Sequence, residues 1–176
     1  MPQRTTTVMK ALVYRGPGVI EWADVALPEM HDSRDAIVRV AAVTICGTDL
    51  HILKGDLPEV ESGRILGHEA VGTVLEVGAA VTGISEGRRV LISCISGCGR
   101  CRFCRTGAYG QCLDAGGWVL GHLIDGTQAE YVRVPYADLS LHVVPEAVSD
   151  QAALMLADIM PSAYEVGVLN GRVSPV

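Results

Sequence analysis

Four cysteines crowded into one short stretch place the strongest constraint on how this chain folds. They follow the spacing C-x2-C-x2-C-x7-C, at Cys98, Cys101, Cys104 and Cys112. Four thiolates this close in sequence can enclose one tetrahedral Zn²⁺, and such a closed site is structural because no coordination position is left for a substrate. Free or redox-active thiols and an iron–sulfur cluster are the alternatives. The spacing predicts a metal-bound lobe over about residues 96–117.

Small and basic residues surround this cysteine cluster. Glycines permit the tight backbone turns of a ligand loop, and they stand at Gly97, Gly99, Gly107 and Gly110. Arginines would offset the negative charge of a tetrathiolate site, and they stand at Arg100, Arg102 and Arg105. Cys94 lies outside the spacing and is interpreted as an ordinary small core residue. Cysteines of an intracellular chain are more often metal ligands or catalytic groups than disulfides.

Composition narrows the class of protein. The 176 residues are enough for one well-packed domain, and a hydrophobic content of 49% excludes a disordered polymer. A net charge of -6 with no basic stripe argues against a nucleic-acid partner. No apolar stretch has the length of a membrane span, and the polar start, Met1 to Thr7, lacks a signal-peptide core. We therefore expect a soluble, cytoplasmic protein with no membrane partner.

Hydrophobic patterning predicts a mainly β chain that ends in a helix. Short β-branched runs bounded by Gly and Pro are typical of strands, and they are Val8–Tyr14, Val19–Ala26, Ala36–Ile45, Ala70–Val77, Arg89–Ile92, Gln128–Val134 and Leu139–Val144. A turn is predicted at Arg15–Gly18 and a short helical turn, capped by Thr48, after Cys46. Ser149 caps a helical run over about residues 149–171, which Pro161 kinks or divides. The pattern favours a barrel-like β-domain.

Two further motifs lie outside the cysteine cluster. Cys46 opens the run Cys46–His51, of the form C-x-T-D-x-H, and His68 lies in Gly67–Gly72, which reads G-H-E-A-V-G. A Cys and a His taken alone would be interpreted as structural. Here, however, Gly78 and Val81 complete the zinc-dehydrogenase signature GHE-x2-G-x5-[GA]-x2-[IVSAC].

With these motifs in this order, the chain resembles the zinc-dependent alcohol dehydrogenases of the medium-chain dehydrogenase/reductase superfamily. The resemblance extends from about Val8 to Gly171. It implies that residues 1–176 form a GroES-like β-barrel catalytic domain, with the structural zinc lobe at about 96–117 and the start of the inter-domain helix at about 149–171. The cofactors implied are one structural and one catalytic Zn²⁺, together with NAD or NADP.

The resemblance also implies the ligands of a catalytic zinc. Cys46 and His68 match the first two, and Glu69 matches a position that binds the metal in some members. The third ligand comes from the helix after the barrel, where this chain offers Asp158. A surface acid is the alternative for Asp158, although an aspartate in so apolar a run is costly to bury without a partner.

Further roles follow from the same resemblance. Zinc lowers the pKa of a bound hydroxyl, and Thr48 and His51 match the residues that pass the released proton to solvent. Asp49 matches the carboxylate that orients His68. Ser162 and Thr48 match contacts to the nicotinamide, and Trp118 matches the wall of the substrate pocket. Ordinary core packing is the alternative for Trp118, and packing or surface exposure is the interpretation for His122.

The phosphate-binding turn of a dinucleotide site is missing from the sequence. No G-x-G-x-x-G occurs, so we expect the chain to stop before a Rossmann domain and to lack dehydrogenase activity by itself. The expected full-length protein oxidises an alcohol to an aldehyde or ketone, transfers hydride to NAD or NADP, and is a homodimer or homotetramer. A catalytically silent zinc-binding module and a GroES-like co-chaperone are the alternatives. The sequence leaves the alcohol, the choice of cofactor and the role of Glu69 open.

Overall fold

A computed structural model describes residues 7–114 and 116–174. The predicted polar start falls on residues 1–6, apart from Thr7, and so lies outside the described residues. The strands in the described part of the chain are β1 (Val8–Gly16), β2 (Val19–Ala26), β3 (Ala36–Val43), β4 (Ala70–Val77), β5 (Arg89–Ile92), β6 (Tyr131–Val134) and β7 (Leu141–Val143). The α-helices there are α1 (Gly47–Lys54), α2 (Ala137–Ser140), α3 (Asp150–Leu154) and α4 (Ile159–Ser162), followed by a π-helical segment at Ala163–Asn170. No helix in these residues is long and apolar enough to cross a membrane.

Strands β1 and β2 form an antiparallel hairpin. Val8 pairs with Ala26 and Gly16 with Val19, so the chain reverses at Gly16–Gly18, where the sequence predicts a turn. Gly16 has φ 128° and Gly18 has φ 76°. These values lie in the region that residues with a Cβ rarely adopt, which explains why glycines occupy this turn.

The other strands form a five-stranded antiparallel sheet in the order β6-β3-β4-β5-β7. The hairpin joins this sheet through residues just before β6. The Leu12 amide donates to the Gln128 carbonyl at 2.8 Å, and Ala11 forms an isolated bridge with Ala129. The strand predicted from Gln128 therefore begins in the sheet only at Tyr131. Through these bonds the two sheets curve into a barrel-like β-domain.

Small and β-branched aliphatic side chains fill the core between the sheets. Its fully buried members, each 0% exposed, include Val38, Val90, Ile92, Leu120 and Val134. Because the chain is only 5% aromatic, close packing of many small residues has to supply the buried apolar area.

The structure differs from the sequence prediction in the last third of the chain. Residues 137–140 form a helical turn before the short strand β7, instead of the start of a strand at Leu139. The helix predicted over about 149–171 is broken, and the break falls at Asp158 (φ −150°, ψ −61°) ahead of Pro161. These dihedrals are not helical, and they turn the Asp158 side chain out of the helical path.

Pairing of β3 with β4 brings the Cys46 motif close to the Gly-His-Glu motif. Val43, the last residue of β3, pairs with Ala70, the first residue of β4. Cys46 follows β3 by three residues and begins α1, while His68 and Glu69 immediately precede β4. The predicted strand Ala36–Ile45 ends at Val43 because the chain must leave the sheet to enter α1. The site is thus built at the meeting edge of two neighbouring strands.

The last glycine of the Gly-His-Glu motif has a packing role that can be tested. A Cβ on Gly72 would press against the Arg39 carbonyl oxygen and lie 2.6 Å from Val38 Cγ1. Both atoms belong to the paired strand β3, which cannot move without losing register. We expect Gly72→Ala to reduce the free energy of unfolding by about 1–3 kcal/mol, as overpacking does. Chemical denaturation measures this. Gly110→Ala is the control, because a Cβ there meets nothing within 4 Å.

Candidate functional site

The four cysteines of the cluster lie together. Their Sγ atoms are all within 4.8 Å of one another. Cys98 Sγ and Cys104 Sγ are 4.0 Å apart, close to the roughly 3.8 Å between sulfurs of a tetrahedron with Zn–S bonds of 2.3 Å. The donor set therefore fits a closed four-thiolate zinc site.

Backbone amides point at the sulfurs of this cluster. The Cys98 amide donates to Cys112 Sγ at 3.3 Å, and the Cys104 amide donates to Cys101 Sγ at 3.5 Å. The bond from Cys104 lowers the pKa of the Cys101 thiol to about 6. Amide donors of this kind stabilise the thiolate form, which is the form that binds a metal.

An ion-pair network fastens the lobe to the β-domain. Arg100, predicted to offset the charge of the cysteines, forms an ion pair with Asp114 at 2.8 Å. Arg102 lies over the ring of Phe103. Arg34 approaches the same Asp114 at 3.9 Å and stacks over Tyr136, which packs against the cysteines. Arg34 also pairs with Asp32 at 2.8 Å, but its contacts to Asp114 and Tyr136 join distant parts of the chain and have no local signal in the sequence.

A second group of potential metal ligands forms where β3 and β4 meet. Cys46, His68, Glu69 and Asp158 each offer one donor atom, and these atoms all lie within 4.8 Å of one another. Asp158 Oδ2 is 3.3 Å from His68 Nε2 and 3.8 Å from Cys46 Sγ. His68 Nε2 is 3.7 Å from Glu69 Oε1. The residues predicted as ligands from three separate segments are thus gathered at one point.

Burial makes the charge of this group costly. His68 is 3% exposed and Glu69 2%. Burial raises the pKa of the Glu69 carboxyl, and the Asp158 carboxylate adds to the rise. Two carboxylates in such a place repel one another unless a cation compensates them. A thiol, an imidazole and carboxylate oxygens are also the donors that zinc accepts, so the residues fit that metal.

Asp49 ties the first ligand to helix α1. Cys46 is the N-cap of this helix, and the Cys46 amide donates to Asp49 Oδ2 at 2.8 Å. The predicted cap, Thr48, instead lies inside the first turn. Burial raises the pKa of Asp49, against the opposing effect of the Cys46 amide. Among the described residues the buried His68 Nδ1 has no hydrogen-bond partner, so the orienting of His68 by Asp49 stays a prediction.

Helix α1 also carries the residues predicted to move protons. The Thr48 hydroxyl lies 3.8 Å from Cys46 Sγ, at the edge of the ligand group. His51 is exposed, and its Nδ1 lies 2.8 Å from Asp56 Oδ2. The carboxylate fixes the orientation of the ring, since Nδ1 is engaged by it. Asp56 received no role from the sequence, because only the turn after α1 brings it against His51.

Trp118 stands between the ligand group and a second histidine. Its ring meets His68 edge-on at 5.9 Å and stacks on His122 at 4.2 Å. The indole Nε1 donates to the Leu120 carbonyl at 3.0 Å. His122 Nε2 lies 3.5 Å from Glu59 Oε1. His122 thus packs on Trp118, in line with its interpretation as a packing residue, and the role of Trp118 as a pocket wall stays a prediction.

Two more side chains contact Asp158. The Ser162 hydroxyl donates to Asp158 Oδ1 at 2.6 Å. Burial, followed by the nearby Asp158 carboxylate, raises the pKa of the Cys94 thiol to about 12. Cys94 was interpreted as an ordinary core residue, but it is only partly buried and lies beside the ligand group. Its position, two residues after the end of β5, carried no signal in the sequence.

Comparison with known proteins agrees with this geometry. The family model described as the alcohol dehydrogenase GroES-like domain matches residues 32–146. An alcohol dehydrogenase of Cupriavidus necator is 42% identical over 183 residues, which cover 96% of this chain and 49% of the relative. A zinc dependent alcohol dehydrogenase 2 from Streptococcus pneumonia, solved in its apo form, superimposes with a TM-score of 0.88 at 51% identity, covering 95% of this chain and 46% of that one.

The chain belongs to the family of alcohol dehydrogenase GroES-like domains. Its relatives include a zinc-type alcohol dehydrogenase B of Aspergillus flavus, 36% identical over 160 residues, covering 91% of this chain and 37% of the relative. The relatives and the solved structure that it matches are named as alcohol dehydrogenases, two of them as zinc enzymes. The predicted mainly β, GroES-like fold is confirmed. The chain spans about half the length of the curated relatives it matches.

Proposed function

We propose that this chain supplies the zinc-binding and proton-relay part of an NAD(P)-dependent alcohol dehydrogenase, with residues 1–176 acting as its catalytic domain. The observation that carries the proposal is the convergence of Cys46, His68, Glu69 and Asp158, whose donor atoms lie within 4.8 Å of one another. In this proposal Cys46, His68 and Asp158 hold the catalytic zinc, and Glu69 lies within reach of it. The four-cysteine cluster holds a second, structural zinc.

The chemistry that zinc supplies when bound is Lewis acidity, which makes a substrate hydroxyl easier to deprotonate. The chain's own residues then have to remove that proton. Thr48 stands at the edge of the ligand group, where its hydroxyl can accept a hydrogen bond from the substrate. His51 lies one helical turn further on, at the exposed surface. In this proposal the proton passes from Thr48 to His51, and so from the buried metal ligands toward solvent.

Asp56 sets up His51 for this task. With Nδ1 held 2.8 Å from the Asp56 carboxylate, Nδ1 carries the ring proton in the neutral imidazole and Nε2 is left as the acceptor. A histidine oriented by a carboxylate in this way is suited to general base work at neutral pH. Both side chains are more than half exposed, so water remains available to receive the proton.

The hydride acceptor and the substrate are proposed by class. We propose NAD or NADP as the cofactor, with Thr48 and Ser162 touching its nicotinamide. A solved relative from Escherichia coli is described as complexed with NADH, and one from Sinorhizobium meliloti as bound to NADP. The substrate is a small alcohol or the matching carbonyl compound, with Trp118 as part of the pocket wall. A cytoplasmic homodimer or homotetramer completes the proposal.

The test of this function is an assay with a matched pair of histidine variants. The protein assayed contains these residues together with a dinucleotide-binding domain. It is tested with NAD and NADP on short primary and secondary alcohols. We expect turnover, and we expect His51→Gln to lower kcat/KM roughly 10²-fold near neutral pH, the lower end of what general acid–base catalysis contributes. The loss should shrink at high pH, where hydroxide replaces the base. His31→Gln, at an exposed position away from the site, is the control.

Two results would contradict this proposal in different ways. Absence of turnover with either cofactor, in protein that holds its full metal content, would favour the catalytically silent zinc-binding module. Equal activity of the two histidine variants, at every pH, would remove His51 from the relay while leaving the zinc site untouched.

A further inference from the structure

The side chain of Ser162 is bonded to one of the proposed zinc ligands. Its hydroxyl donates to Asp158 Oδ1 at 2.6 Å, and its amide donates to the Asp158 carbonyl at 2.9 Å. A distance of 2.6 Å is in the range of hydrogen bonds from a hydroxyl to an ionised carboxylate, which are stronger than neutral ones. Ser162 is exposed, so burial does not force this contact, and the hydroxyl could have turned to water.

The two oxygens of Asp158 have separate partners. Oδ1 accepts the hydrogen bond of Ser162, whereas Oδ2 lies 3.3 Å from His68 Nε2 and 3.8 Å from Cys46 Sγ. The terminal torsion of an aspartate is broad and roughly two-fold. Without a partner on one oxygen, the carboxylate could rotate and present either oxygen, or both, to a metal.

We propose that Ser162 is a positioning residue that fixes Asp158 as a ligand through the single oxygen Oδ2. The inference rests on the proposed function, because it assigns Asp158 to the catalytic zinc. Ligating carboxylates are themselves hydrogen-bonded in metal sites, and such outer partners tune the affinity for the metal. Ser162 lies one helical turn after Asp158 in α4, so the rigid helix carries the hydroxyl to the outer oxygen.

Geometry at the start of α4 explains why a partner is needed. Asp158 has φ −150° and ψ −61° and precedes the helix, with no bond from its own side chain to the helix amides. An aspartate at this position usually caps the helix with its carboxylate. Here the carboxylate is turned toward Cys46 and His68 instead, and the Ser162 hydroxyl replaces the amides as its donor.

The same bond restricts how Ser162 meets a cofactor. A serine hydroxyl has one proton to donate and two lone pairs to accept with. Because the Ser162 hydroxyl donates its proton to Asp158, its oxygen can only accept a hydrogen bond from a cofactor. The N–H group of the nicotinamide carboxamide is a matching donor. The contact to the cofactor and the support of the ligand are therefore compatible.

The experiment measures metal affinity directly. Purified protein whose four-cysteine cluster retains Zn²⁺ is titrated with Co²⁺, and the absorption of the cobalt–thiolate pair at Cys46 reports filling of the second site. We expect Ser162→Ala to weaken Co²⁺ binding roughly 10–100-fold, the range for loss of an outer partner. Ser162→Thr, which keeps the hydroxyl, should bind as the parent does. Ser85→Ala, at another exposed serine, is the control.

A purely structural role for Ser162 would give another pattern. With Zn²⁺ in the four-cysteine cluster and the second site empty, we expect Ser162→Ala and the parent to have the same thermal midpoint. On addition of Co²⁺, the cobalt absorption bands of Ser162→Ala should shift as the carboxylate changes its mode of binding. Parent-like affinity and spectrum in Ser162→Ala would overturn the inference, as would equal weakening in Ser162→Thr.

Failure of this inference is separable from failure of the proposed function. Asp158→Ala is titrated in parallel as the reference for loss of the ligand. If Asp158→Ala loses the second site and Ser162→Ala binds Co²⁺ as the parent does, only the positioning role is wrong. If Asp158→Ala itself binds as the parent does, the proposed zinc site is wrong and the inference falls with it.

Discussion

Cys101→Ser is expected to release the metal of the four-cysteine cluster and to disorder the lobe of residues 96–117, while the five-stranded sheet stays folded. The buried apolar group inside the lobe consists of Cys104 and Cys112, with Cys98, Cys101 and Tyr136 against them. Among the described residues of the lobe little else of apolar character is buried, so the metal has to supply the stability. Structural zinc sites contribute on the order of 10 kcal/mol of apparent binding free energy in small peptides.

Hydrogen exchange is the measurement that separates the lobe from the sheet. Amides of the lobe should exchange rapidly in Cys101→Ser, whereas amides of β3 and β4 should stay protected, and zinc content should fall by one per chain. Thr106→Ser is the matched control, because this exposed residue of the lobe is not a ligand and serine keeps the hydroxyl that donates to the Phe103 carbonyl. A lobe that remains ordered, reduced and metal-free would show that the cysteines are not a structural zinc site.

Asp158→Ala is expected to have the other large effect, on the second metal. It removes a donor whose Oδ2 faces both Cys46 and His68. We expect the affinity of this site for zinc to fall by more than the roughly 10–100-fold that loss of an outer partner costs. Dehydrogenase activity should fall with it, and the four-cysteine cluster should keep its metal.

Zinc content per chain, measured after dialysis against a weak chelator, distinguishes the ligands. The parent should hold two zincs and Asp158→Ala one. Asp125→Ala, which removes an exposed acid paired with Arg64, is the control and should hold two. If Asp158→Ala also keeps two, then Glu69, which is 3.7 Å from His68 Nε2, becomes the candidate for the third ligand and Glu69→Gln the next variant.

The parts of this molecule that could be predicted from sequence are those with a local signal. The Cys98–Cys112 spacing identifies a metal lobe because all four ligands come from one loop. The hairpin β1–β2 follows from its glycine turn and β-branched flanks. The Gly-His-Glu motif is typical of the family, and the family resemblance, together with the apolar run around Asp158, predicts that aspartate as a ligand.

The remaining features depend on contacts that form only in the folded chain. The break at Asp158 overrides a run of good helix formers, because the carboxylate turns toward residues in α1 and before β4. Asp56 reaches His51 only through the turn that ends α1. His122 and Trp118 are close in sequence, yet their stacking depends on the conformation of the loop that carries them. Propensity and spacing carry no information about such contacts.

The two ends of the cysteine lobe are joined by a backbone contact, which affects how the lobe and the sheet depend on each other. The Ser96 amide donates to the Gly117 carbonyl at 2.8 Å, so the two ends of the lobe lie side by side. The lobe is therefore a closed loop between β5 and β6. The entropic cost of bringing the ends of such a loop together rises only slowly with its length. Strands β5 and β6 can find their partners before any metal arrives. We therefore expect metal loading to order the lobe locally, without changing the register of the five-stranded sheet.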